Sequence, residues 1–153
     1  MTFPASLITN SAEQTEALGA TLAEAMDNDA SLPRFIALYG DLGVGKTAFV
    51  RGFTSLFSPK ARVKSPTFAL VNEYRGAGLS VFHFDMYRLG SSDELFDIGW
   101  EDYLARGAVC AVEWSENVEE AMEGAISVTI EKLGEDARRI TIEGGDSLAD
   151  LSL

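Results

Sequence analysis

Eight consecutive residues, Gly40-Asp41-Leu42-Gly43-Val44-Gly45-Lys46-Thr47, carry the pattern G-x-x-x-x-G-K-[ST]. The needs of an anion site account for each residue type. Glycines let the backbone curl until successive N–H groups point at a β-phosphate. A helix starting where the loop ends adds its dipole and its free N–H groups. Lys46 supplies a mobile positive charge for the β- and γ-phosphates, and the Thr47 hydroxyl is placed to ligate Mg²⁺. Asp41, Leu42, Gly43, Val44, Gly45, Lys46 and Thr47 are therefore the expected triphosphate contacts. The pattern is short enough to arise by chance as a glycine turn. Its context argues otherwise: an apolar run, Arg34 to Tyr39, ends just before it and a helical pattern begins at Lys46.

Such a loop needs a carboxylate at the end of a neighbouring strand to hold the metal or its waters. Asp85 closes the run Val81 to Phe84, and Glu113 closes the run Ala108 to Val112. Both belong at the carboxyl edge of a sheet, beside the expected crevice. The competing reading is a solvent-exposed acid ending a strand, and spacing does not say which acid lies nearer the metal. Asp85, Glu113 and Lys46 are the candidate catalytic residues. His83, the only histidine, lies inside an apolar strand and reads as packed and hydrogen-bonded rather than catalytic. Trp114 follows Glu113 and could stack near a nucleotide or simply pack. Ser65-Pro66-Thr67 offers two hydroxyls between the loop helix and the next strand, where a γ-phosphate sensor or an ordinary turn would fit.

The elements that must position these groups read as α/β. Phe3 to Ile8 forms a short strand. Ser11 caps a helix running to about Met26, with Leu18, Leu22, Ala25 and Met26 on one face. Arg34 to Tyr39 suits the centre of a parallel sheet. A helix follows from Lys46 to Phe57, and then a loop holding Lys60, Arg62 and Lys64. Phe68 to Tyr74 and Leu79 to Phe84 pair as a hairpin across Arg75 to Gly78. Ser91 or Ser92 caps a short helix that Gly99 interrupts, with another turn from Trp100 to Leu104. Ala108 to Val112 is a second fully apolar strand, and a short acidic helix covers about Val118 to Met122. Ala125 to Lys132 and Arg139 to Glu143 alternate as a late antiparallel pair with one wet face. The expected architecture is a mostly parallel sheet flanked by helices, with antiparallel additions. It forms a single domain over 1–153, with a polar tail from about 145.

Composition removes several function classes. A length of 153 residues suits one domain, and 46% hydrophobic content suits a packed core. The net charge of −12 repels a phosphate backbone, so RNA or any other nucleic acid is expected to be met only through a basic partner. Lys60, Arg62 and Lys64 read as a solvated loop rather than a contact patch. A single cysteine, Cys110, excludes an intrachain disulfide and reads as a buried hydrophobe. No segment is apolar enough for a bilayer and no export signal is visible, so no membrane role and a cytoplasmic location are expected. A guanine-reading Asn-Lys-x-Asp segment is absent, as is Asp-x-x-Gly after the loop; ATP is favoured over GTP. No arginine cluster resembles a phosphotransferase lid, which weakens a small-molecule kinase. A non-catalytic nucleotide sensor stays open, and so does a homo-oligomer.

Taken together, these segments closely resemble the TsaE family of bacterial ATPases. The resemblance rests on Gly40 to Thr47, Val63-Lys64-Ser65-Pro66-Thr67-Phe68, His83-Phe84-Asp85-Met86-Tyr87-Arg88-Leu89, Glu94-Leu95 with Gly99, and Val112-Glu113-Trp114. Order and spacing match from about Thr15 to Trp114, while the last strands carry little signature. The resemblance implies a P-loop-like sheet and slow ATP hydrolysis that is switched on by a TsaB–TsaD heterodimer. The pathway it implies is threonylcarbamoyladenosine formation at position 37 of tRNA, with the chemistry on adenosine belonging to TsaD. It also implies ATP and Mg²⁺ as cofactors, Lys46 on the phosphates, Thr47 and Glu113 on the metal, and Asp85 as a second acid near the γ-phosphate. Thr67 falls in a switch-like loop, Trp114 near the nucleotide, and Arg138 near the base. Ser115 departs from the proline that many relatives carry after Glu-Trp, which puts only the local turn in question.

Overall fold

The computed structural model describes residues 5–29, 32–40, 45–63, 71–76, 79–86, 92–97, 99–105 and 108–144. Asp41 to Val44, the Ser65-Pro66-Thr67 segment, Lys64, Tyr87 to Leu89 and the tail from 145 lie outside the described residues. The strands are β1 (Ala5–Thr9), β2 (Phe35–Tyr39), β3 (Val71–Tyr74), β4 (Val81–Asp85), β5 (Val109–Glu113), β6 (Ile126–Lys132) and β7 (Arg138–Glu143). They make one sheet in the order β1-β7-β6-β2-β5-β4-β3. The four central strands β6, β2, β5 and β4 are mutually parallel. Antiparallel pairs flank them on both sides: β3 on β4, and β7 on β6 with β1 beyond it. The parallel character expected from sequence thus resides in the centre.

β2 and β5 are apolar throughout because both faces are covered. Ile36 and Leu38 enter the core beneath helices α1 (Ala12–Asn28) and α2 (Lys46–Phe57), while Phe35 and Ala37 enter the core on the opposite face. On the first face Leu22, Met26, Phe49 and Phe53 are fully buried, each contributing about 1.5–3 kcal/mol. On the second, α4 (Trp100–Ala105) drives Trp100 edge-on against Phe35 and Phe84, with centroids 5.3 and 5.0 Å away. Gly99, with φ +84°, makes the break between α3 (Ser92–Asp97) and α4.

Helices α1 and α2 cross with their backbones nearly touching. A Cβ on Gly52 would lie 1.8 Å from the Glu16 carbonyl oxygen, and one on Gly19 would lie 2.2 Å from that of Phe49. Only glycine fits at either position. An Arg51–Glu16 ion pair at 2.8 Å closes the rim of this crossing. Ser11 caps α1 by accepting the Gln14 N–H, and the Gln14 side chain accepts the Asn10 N–H at 2.7 Å, a reciprocal cap. The acidic segment read as a helix over Val118 to Met122 is a 3-10 helix that starts earlier, Ser115–Met122. It breaks at Val118 (φ −137°, ψ 38°) as that side chain buries against the second core. No helix among the described residues is long and apolar enough to cross a membrane.

Candidate functional site

The site lies at the carboxyl ends of β2, β5 and β4. β2 ends at Tyr39, the loop begins at Gly40, and α2 starts at Lys46 with Gly45 as its N-cap. Gly45 has φ +108°, a conformation closed to most side chains, and it provides no side-chain cap. The first N–H groups of α2 are therefore not taken by a side chain at the cap, as an anion-binding helix start requires.

Lys46 is 5% exposed despite its charge. Its ammonium folds back to the far side of the loop and donates to the Gly40 carbonyl at 2.6 Å. It also sits 3.7 Å from the centroid of the Trp114 ring, close enough for a cation–π contact. Trp114 reaches that position through a left-handed backbone, φ 60° and ψ 41°, the one positive φ outside glycine among the described residues. Such a conformation costs about 1–3 kcal/mol and persists where surroundings impose it. The turn after Trp114 is closed by Ser115, whose hydroxyl donates to the Val112 carbonyl at 2.9 Å. The departure from proline is thus accommodated by a hydrogen bond. Glu116 accepts the Gly40 N–H at 3.3 Å, tying the 3-10 helix to the mouth of the loop. Burial, followed by the carboxylates of Glu119 and Glu116, raises the Tyr39 phenol above its ordinary range.

The two strand-end acids come together. Asp85 and Glu113 are register partners on the parallel strands β4 and β5, and so share one face of the sheet. By alternation that face is the one carrying Val81, Val109 and Ala111 into the core beneath α1 and α2. Glu113 is 4% exposed, and one of its oxygens lies 2.5 Å from His83 Nε2. Thr47 stands half-buried in the first turn of α2. The donors available to a cation are hard oxygens. Among the described residues no set of three or more His, Cys, Asp or Glu could hold a metal unaided. That fits Mg²⁺, which takes one or two protein ligands and completes its shell with phosphate and water.

Arg138 begins β7, which lies on the other side of β2 from the strands that end in Asp85 and Glu113. It lines a small cleft together with Ser11, Thr15, Gly45 and Ala48. Its guanidinium donates to the carbonyls of Gly134, Glu135 and Ala137 at 2.9–3.1 Å, which fixes it in the β6–β7 turn. The structure therefore gathers Gly45, Lys46, Thr47, Asp85, Glu113 and Trp114 at the strand ends and sets Arg138 beside Gly45. Asp41, Leu42, Gly43, Val44 and Thr67 fall outside the described residues. Sequence reasoning left His83 as a packed residue; its contact with Glu113 arises from a cross-strand register that no local spacing signals.

A parallel sheet whose central strand feeds a glycine loop and helix, with acids closing the next two strands on one side, defines the P-loop class of α/β proteins. The family model for threonylcarbamoyl adenosine biosynthesis protein TsaE matches residues 9–140. The chain belongs to this family. A Haemophilus influenzae protein named tRNA threonylcarbamoyladenosine biosynthesis protein TsaE is 42% identical over 108 residues, 70% of this chain and 68% of the relative. A Rickettsia felis protein of the same name is 34% identical over 148 residues, 95% of this chain and 83% of its own. The crystal structure of Bacillus subtilis YdiB superposes with a TM-score of 0.75 at 28% identity, covering 97% of this chain and 90% of that one.

Proposed function

We propose that this chain binds ATP with Mg²⁺ and hydrolyses it in the service of tRNA N6-threonylcarbamoyladenosine formation at position 37. Membership of the TsaE family supports the pathway. The observation that carries the chemistry is the pairing of Asp85 with Glu113 on one sheet face, at the strand ends beside the loop that bears Lys46. In this reading Thr47 and Glu113 would hold Mg²⁺, which would supply charge neutralisation for the phosphate oxygens. Lys46 neutralises the β- and γ-phosphates, and Asp85 orients the attacking water. The loop residues Asp41 to Val44 would supply backbone donors, Thr67 would sense the γ-phosphate, and Arg138 would approach the base.

The isolated subunit is slow, and a TsaB–TsaD heterodimer activates it and is reset by it. The acidic surface supports a protein partner over direct contact with tRNA, and the cytoplasm is the compartment where those partners would be met. Phosphate release from ATP, measured with and without TsaB–TsaD, tests the reading. Stimulation well above the isolated rate is expected. A competent heterodimer that leaves the rate unchanged overturns it. Binding without phosphate release would make the chain a sensor, and a phosphorylated product accumulating with ADP would make it a kinase.

A further inference from the structure

His83 has no exposed surface, yet it stands on β4 where Val81 and Phe84 show that apolar residues serve the core. A buried imidazole needs partners for both nitrogens, and it has them. Nε2 lies 2.5 Å from a Glu113 oxygen, and Nδ1 lies 3.3 Å from the Tyr74 hydroxyl. Asn72 in turn donates from its side-chain amide to that hydroxyl at 3.5 Å. With a neutral imidazole and an ionised carboxylate, one tautomer satisfies the chain. The Asn72 amide donates to Tyr74, the Tyr74 hydroxyl donates to Nδ1, and Nε2–H donates to Glu113. The series spans three adjacent strands, since β3 supplies Asn72 and Tyr74, β4 supplies His83 and β5 supplies Glu113. Its direction ends on the carboxylate, which therefore receives a donor of fixed orientation.

We propose that His83 is the positioning residue for Glu113, and that Tyr74 sets the tautomer in which it works. The inference rests on the reading of Glu113 as the residue that holds Mg²⁺ beside the nucleotide. A carboxylate oxygen pinned by Nε2–H cannot rotate freely, so its partner oxygen is presented to the cation at a constant angle. A histidine with a purely packing role would contribute to stability alone. A positioning histidine contributes to metal affinity separately from nucleotide affinity, because hydrogen-bond partners of metal ligands typically change that affinity by about 10–100-fold.

The experiment uses the full chain with ADP and Mn²⁺ as probes. ADP affinity is measured in the presence of a chelator, and Mn²⁺ affinity of the ADP complex by electron paramagnetic resonance. His83→Leu is expected to weaken Mn²⁺ by about 10–100-fold while ADP affinity in chelator is held. His83→Gln places an amide donor near the position of Nε2 and is expected to recover most of the loss. Tyr74→Phe removes one hydroxyl, and it keeps the test alive should His83→Leu fail to fold. It is expected to weaken Mn²⁺ less than His83→Leu does. Equal Mn²⁺ affinity in wild type and variants, or parallel losses of Mn²⁺ and chelated ADP, would overturn the proposal and return His83 to packing. Wild-type protein that binds no ADP would overturn the nucleotide reading itself, a result readily told apart from the first.

Discussion

Lys46 is 5% exposed, and its contacts include the Gly40 carbonyl and the Trp114 face. Lys46→Ala is expected to abolish triphosphate binding in calorimetric titration while the far-ultraviolet spectrum and unfolding cooperativity are kept; unchanged affinity would remove Lys46 from the site. Trp114→Ala should weaken ATP more modestly, since a partly buried cation–π contact is worth about 0.5–2 kcal/mol, or roughly 2–30-fold. Cys110 shows the opposite environment. Burial pushes its thiol from 9.0 up to about 12, so the native state disfavours the thiolate. The resulting stabilisation is complete below the unfolded value near 9.0 and is lost as pH rises towards 12. Urea unfolding from pH 8 to 10.5 should show wild-type stability falling faster than that of Cys110→Ala. The difference should be at most about 1.4 kcal/mol per pH unit.

At the scale of elements, the crossing of α1 and α2 sets the width of the cleft lined by Ser11, Thr15, Gly45, Ala48 and Arg138. Gly52→Ala would drive a methyl group to 1.8 Å from the Glu16 carbonyl. Overpacking of this kind costs about 1–3 kcal/mol and occasionally more, against a gain in helix propensity of about 1 kcal/mol. A fall in thermal midpoint of several degrees is expected, together with weaker ATP binding as the N-terminus of α1 is pushed away from Gly45. A rise in midpoint would show that the helices can separate freely. Most elements were legible because their periodicities are local: α2 ran from Lys46 to Phe57 as read, and β2 and β5 declared themselves by apolar runs. The pairing of β1 with β7 was not legible, since it joins residues about 130 apart in sequence through an edge that alternation does not specify. β6 read as half of an antiparallel pair, and it also runs parallel to β2, a contact set by tertiary packing. In the site, Lys46, Asp85 and Glu113 were visible from motif spacing and strand ends. The bond from His83 to Glu113 and the left-handed turn at Trp114 were invisible, because one needs register and the other opposes residue preference.

At the scale of the molecule, the net charge of −12 over 153 residues governs encounter more than affinity. The 3-10 helix and the residue after it carry Glu116, Glu119, Glu120 and Glu123, and Glu116 reaches the mouth of the loop through its bond with the Gly40 N–H. A nucleic acid approaching this face meets repulsion, whereas a basic protein surface is drawn to it. The isolated chain should therefore leave tRNA unshifted in a native gel at physiological salt, and TsaB–TsaD should be needed to bring the two into one complex. Exposed charges separated by more than about 8 Å are largely screened at 0.15 M salt, and by more than about 3 Å at 1 M. The association rate with TsaB–TsaD should thus fall by about tenfold or more between 0.05 and 0.5 M NaCl, within the range that electrostatic steering covers. The dissociation rate should change far less, because steering acts on the approach and leaves the docked contacts alone. Stopped-flow mixing at stepped ionic strength separates the two rates. A flat association rate would show that the acidic surface serves solubility and that partner choice lies in short-range contacts.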